Sequence, residues 1–178
     1  MKNNFFNLYL NDSIKLKDRF TVTTENRWTP MTVLAELYVQ LGHVCSILKE
    51  SKYKEDKREI NDLGDEISDV IFQLIIIGDM YSFNFDKYKH SQDNKATIED
   101  LVISLGQLSE SVMEECGYRF KKSRFGFMST LDFIYFKIEN CLDIIFSMGN
   151  YLRLNIEYEY KKMLDDTNNW LDKNYKQV

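Results

Sequence analysis

Helix-breaking residues are scarce in this chain. It has one proline and seven glycines in 178 residues, and stretches that alternate apolar and polar positions are few. Both shortages argue against a sheet-rich fold, whose strands alternate and whose turns draw on glycine and proline. Cysteine is also scarce. Cys45, Cys116 and Cys141 are odd in number, widely spaced and set among apolar residues. That pattern suits neither a disulfide frame nor a zinc site, and it predicts small core residues in a protein of the reducing cytoplasm. The longest apolar run, Val70 to Ile77, is interrupted by Gln73 and is far shorter than the ~20 residues that span a bilayer. The first residues lack the apolar core of a signal peptide, so no membrane partner is expected. Positive charge is in deficit too. A net charge of -5 offers no broad basic face to neutralise phosphates, so nucleic acid is not expected as a partner.

The sequence is rich in core-forming side chains, 44% hydrophobic and 14% aromatic. One all-α domain over 1–178 is the expectation. Asp12 to Phe20 predicts a short helix or ordered arm. Trp28-Thr29-Pro30 supplies a helix start, with Thr29 as cap and proline in the first turn. The helix that follows, to about Lys49, carries Leu34, Leu37, Leu41, Val44 and Leu48 on one stripe and Glu36, Gln40 and His43 on another face. Glu50 to Ile60 is a mixed charge run, read as a solvated connection. The next helix, about Ile60 to Ser82, is apolar on nearly every side from Val70 to Ile77. Its first turns nevertheless place Asp62, Glu66, Asp69 and Gln73 on one face. Carboxylates on so buried a helix need positive compensation, and a hard divalent cation such as Mg²⁺ is one candidate; a plain wet stripe is the other. A short helix is expected from Asn84, and the polar segment Ser91 to Lys95 marks an internal boundary.

The second half repeats the first, with repeats at about 30–90 and 97–173. A shift of 64 sets Leu41-Gly42 on Leu105-Gly106, Leu37 on Leu101 and Val44 on Leu108, predicting a helix over Thr97 to Glu115. A shift of 71 sets Ile67 on Ile138, Gly78 on Gly149, Asn84 on Asn155 and Phe85 on Ile156, predicting a helix over Leu131 to Arg153. The chain therefore reads as two fused helical hairpins forming a bundle, a dimer-like arrangement within one chain. The glycine pairs are expected where the hairpins approach. The carboxylates are not copied: Lys137 and Asn140 stand at the places of Glu66 and Asp69, and Ser104 and Gln107 at those of Gln40 and His43. The seven extra residues of the second half fall within Gly117 to Phe127, a basic and aromatic insertion read as a solvated loop with apolar anchors. A last helix, Glu157 to Lys173, docks through Tyr160, Leu164 and Leu171.

Trp28-Thr-Pro leading into Val39-Gln-Leu-Gly-His-Val44, then Leu63-Gly-Asp-Glu-Ile-Ser-Asp-Val-Ile-Phe72 and Phe83-Asn-Phe-Asp86, resembles the MazG-like all-α nucleoside triphosphate pyrophosphohydrolases, a group that includes the dimeric dUTPases. The resemblance covers most of the first repeat and, more weakly, the second. It implies two acidic motifs, Glu-x-x-Glu and Glu-x-x-Asp, that hold Mg²⁺ against the substrate phosphates while water releases a nucleoside monophosphate and pyrophosphate. Glu66 and Asp69 match the second motif, whereas Gln40 and His43 stand at the two glutamates of the first. On this resemblance Glu66, Asp69 and Glu36 are the expected Mg²⁺ ligands and Gln40 and His43 line the site. Lys161 and Lys162 of the last helix are the expected phosphate contacts. The partner implied is a nucleotide, with a homodimer as a further possibility. The alternative is a non-catalytic relative that keeps the fold as a nucleotide-binding or protein-interaction module.

Overall fold

Helix caps and apolar stripes set the architecture. The computed structural model describes residues 4–24, 27–51, 58–89, 96–119 and 128–175. Among them lie six α-helices and no strand: α1 (Asn4–Thr24), α2 (Pro30–Ser51), α3 (Arg58–Met80), α4 (Ile98–Glu115), α5 (Thr130–Tyr151) and α6 (Ile156–Asn174), with a 3₁₀ turn at Phe85–Lys87 after α3. The protein is an all-α bundle.

Helix starts follow side-chain capping. Thr29 Oγ1 accepts from the Thr32 amide at 3.2 Å, and Thr32 Oγ1 accepts from the Thr29 amide at 2.8 Å. Thr97 with Asp100 and Ser129 with Asp132 form full capping boxes at α4 and α5, which satisfies amide donors that the first turn leaves free. Of the short helix or arm expected over 12–20, the helix is what forms, and it is longer, at 21 residues. Phe5, Phe6 and Leu16 are buried, and the Ser13 hydroxyl meets the buried Tyr160 hydroxyl of α6 at 2.7 Å. Tertiary packing lengthens a helix whose aromatic and polar residues are only middling helix formers.

α2 packs on α3 and α4 on α5; α2 also touches α4, α3 touches α5, and α6 and α1 cover α3. Every residue from Val70 to Gly78 of α3 is consequently buried. It is the central helix.

α3 and α5 end in the same way. Phe83 N–H donates to the Gly78 carbonyl at 2.8 Å and Ser82 N–H to that of Asp79 at 3.0 Å; Leu154 and Arg153 repeat this with Gly149 and Asn150 at 2.9 and 3.2 Å. Ser82 and Arg153 both take left-handed backbone, at φ 57° and 58°, the residue that a Schellman ending requires. Asn84 and Asn155 then cap the next turn by accepting from the amides of Asp86 and Tyr158. Glycine at 78 and 149 is dictated by contact, since an added Cβ would lie 2.4 Å from the Phe85 ring or 2.6 Å from Ile156.

Two expectations need correction. Gly42 and Gly106 do not mediate a close approach: a Cβ at Gly42 meets nothing within 4 Å, and at Gly106 only the Tyr38 hydroxyl at 4.0 Å. Cys141 is buried, but Cys45 is half-buried and Cys116 exposed, and all three are free thiols; Cys116 sits at the C-cap of α4, where the apolar face has ended. The segment Pro30–Lys49 is long and apolar enough to cross a membrane by length and composition alone, a test that core helices of globular proteins also pass; its dispersed polar residues conceal this from a search for unbroken runs. The basic insertion from residue 120 to 127, most of the charged connection at 50–60 and the boundary at 91–95 lie outside the described residues. Arg119, at the edge of that insertion, pairs with Glu110 at 3.3 Å.

Candidate functional site

Spacing along α2 and α3 brings the motif residues together. On α2, Thr32, Glu36 and Gln40 follow at four-residue intervals; on α3, Asp69 and Gln73 do the same. All five line a cavity of about 460 Å³ that α1 and α6 close with Leu16, Phe20, Met163 and Thr167, while Arg27, Trp28 and Phe72 complete the wall. His43 lies one turn beyond Gln40 and Glu66 one turn before Asp69, and these two meet, His43 Nδ1 to Glu66 Oε2, at 3.0 Å. The two helices therefore run antiparallel, and the seam between them has two levels: a cavity at Gln40 and Asp69, and a histidine–carboxylate pair next to it.

The cavity has unusual polar chemistry. Trp28 Nε1, Gln40 Oε1 and Gln73 Oε1 are buried atoms without a hydrogen-bond partner, and all three belong to cavity-lining residues. Gln73 is only 6% exposed. Burial raises the Asp69 carboxyl to about 7; Asp65 and Glu66 push in the same direction and His43 opposes them. Near neutral pH Asp69 thus holds its proton about as often as it loses it. Tyr160, hydrogen-bonded to Ser13, has its phenol raised chiefly by burial and further by Asp69.

The expected residues divide. Asp69, Glu36 and Gln40 share the cavity; Glu66 and His43 adjoin it without lining it. Lys161 and Lys162 are exposed on α6 and do not line the cavity, which α6 instead meets through Met163 and Thr167, on the inward face with Tyr160, Leu164 and Leu171. Arg27 is the one cationic side chain among the described residues lining it, and sequence reasoning passed over it because it precedes α2 and belongs to no helical period. Trp28 was legible only as part of a helix start. Gln73 was visible in the sequence through its spacing from Asp69.

Do these side chains suit Mg²⁺? A magnesium ion needs several oxygen ligands in near-octahedral array. Among the described residues no three His, Cys, Asp or Glu side chains form a metal-holding group. Glu66 is engaged by His43 at 3.0 Å. The donor set is not a preformed Mg²⁺ cage.

A pocket between α4 and α5 offers a comparison. Asp100, Ser104, Gln107, Asn140 and Ile144 line a pocket of about 370 Å³ between α4 and α5, at positions that the shifts of 64 and 71 assign to Glu36, Gln40, His43, Asp69 and Gln73. Here Ser104 has hydrogen-bond partners of its own. Asn140 Nδ2 donates to Ser104 Oγ at 3.0 Å and Cys141 Sγ does so at 3.3 Å.

No family model, curated protein or solved structure matches this chain significantly. The site is argued from its own geometry.

Proposed function

We propose that this chain is a MazG-like bundle of two fused helical hairpins whose first hairpin binds a nucleotide. Recurrence of the α3 ending at α5, and of a polar pocket at the corresponding place between α4 and α5, supports the fusion. One observation carries the binding: Trp28, Gln40 and Gln73, each with an unpartnered buried polar atom, line one cavity. Each such atom costs about 1–3 kcal/mol in the folded chain, a cost that a ligand with matching polar edges removes. The volume falls within the ~300–1,000 Å³ of small-molecule sites, and Trp28, Phe20 and Phe72 give it an aromatic lining. Arg27, exposed at the cavity, is the group placed for the phosphates. In a melt series with ATP, GTP, CTP and UTP, at least one nucleotide should raise the melting temperature with increasing concentration. Absence of any shift at millimolar nucleotide counts against the reading.

A second reading, Mg²⁺-dependent release of pyrophosphate, draws on the retained Glu66-x-x-Asp69 and on Glu36 in the cavity wall. The pair Gln40→Glu with His43→Glu tests it, because the second change sets a carboxylate against Glu66 where a 3.0 Å contact now stands. Without metal the double variant should melt several degrees lower by like-charge repulsion, and Mg²⁺ should restore it by binding only the folded state. A variant that melts like the parent and ignores Mg²⁺ removes this reading. Pyrophosphate release by the parent chain with Mg²⁺ and any of the four nucleotides would establish it directly.

A further inference from the structure

We infer that the ligand class of this cavity is the nucleoside monophosphate, and that a triphosphate without metal binds there more weakly. The inference rests on the nucleotide reading above and adds to it how many phosphates the site takes. Polar residues of the wall are graded by exposure: Gln73 is buried, Gln40 and Asp69 are half-buried, and Arg27, Thr32 and Glu36 are exposed. Phosphate is costly to take out of water, so the phosphate end of a nucleotide belongs at the exposed mouth. There the wall presents one guanidinium, Arg27, and one carboxylate, Glu36, with the Asp69 carboxyl further in. A guanidinium is always charged and holds one phosphate through two parallel N–H donors. Arg27 forms no ion pair among the described residues and is free for that contact.

Cations on the neighbouring helices are committed elsewhere. On α1, next in sequence to the wall residues Leu16 and Phe20, Lys17 pairs with Asp79 at 3.4 Å and Arg19 with Asp172 at 2.6 Å. Lys161 and Lys162 of α6 are exposed and do not line the cavity. A monophosphate matches its charge to Arg27. The outer phosphates of a triphosphate meet no second cation among the described residues of the wall, and they add negative charge in the field of Glu36.

Calorimetric titration of the intact chain with each of the four ribonucleoside monophosphates and its triphosphate, in Mg²⁺-free buffer of low ionic strength, tests the number of phosphates directly. For every base that binds, the monophosphate should bind about three- to tenfold more tightly than the triphosphate, and added salt should narrow the gap by screening. Arg27→Gln should weaken the monophosphate towards the level of the free nucleoside. Glu36→Gln should strengthen the triphosphate more than the monophosphate. Both side chains are exposed, so each variant should melt close to the parent. A triphosphate that binds as tightly as its monophosphate or more tightly, or a gap that neither salt nor Glu36→Gln narrows, overturns the inference while leaving nucleotide binding intact. If none of these compounds binds, the nucleotide reading falls and this inference falls with it.

Discussion

Asp69 shows how much one residue's surroundings decide. Its carboxyl titrates near 7 in the folded chain against 3.8 in a free one, mainly through burial. Between those values the folded state binds more protons than the unfolded state, so stability falls as pH rises, and the loss is complete only above the folded value. At about 1.4 kcal/mol per pH unit, Asp69 costs the protein a few kcal/mol at pH 8 relative to pH 4. Asp69→Asn should therefore flatten the fall in melting temperature from pH 4 to pH 8 and melt higher than the parent at pH 8. A parallel pair of curves would show that Asp69 is not the group responsible. The sequence placed Glu66, Asp69 and Gln73 on one face of α3, and the structure keeps them so. What it could not show is height along the helix. Glu66 lies about 4.5 Å before Asp69 at 1.5 Å per residue, far enough to meet His43 instead of the cavity.

Element by element, the helices were legible where capping and aliphatic stripes coincide. α2, α4, α5 and α6 begin and end within two residues of the sequence expectation, because Thr29 announces the start of α2 and the internal shifts and apolar stripes mark out the others. α1 was legible only in its middle. Its inward positions are held by Phe5, Phe6, Tyr9, Ser13 and Leu16, and their partners, Phe85, Phe146 and Tyr160, are distant in sequence. The glycines separate by contact. Gly78→Ala forces a Cβ into a Phe85 ring that stacks on Phe6 at 4.9 Å and abuts Phe83 at 4.7 Å, so it should cost about 1–3 kcal/mol as overpacking. Gly42→Ala meets open space and should stabilise by up to ~1 kcal/mol through helix propensity. Chemical denaturation of the two variants measures both, and similar midpoints would contradict the packing described at the end of α3.

At the scale of the whole molecule, α3 is the element that other helices must cover. α2 alone cannot hide Ile71, Leu74, Ile75 and Ile76, all essentially inaccessible in the full chain, because α1, α5 and α6 share that surface. A fragment of residues 1–92 loses α5 and α6 and should self-associate or aggregate; a monomeric, cooperatively melting fragment would contradict the packing of α3 against the second half. The cavity depends on the same long-range arrangement, since α6 supplies Met163 and Thr167 to a site otherwise built from α1, α2 and α3. That contribution was hidden in the sequence, where the charged residues of α6 drew attention to its outer face. The account's central claim, that this cavity takes a nucleotide, is tested most directly by titrating CTP into the intact chain and into a Thr167→Trp variant. Thr167 is half-buried in the cavity wall, so an indole there occupies the space without removing any of the three unpartnered atoms. The account predicts one saturable site per parent chain and affinity at least about tenfold weaker in a variant that still melts cooperatively, the expected effect of filling a shaped pocket. No binding by the parent, or equal binding by both chains, would contradict it.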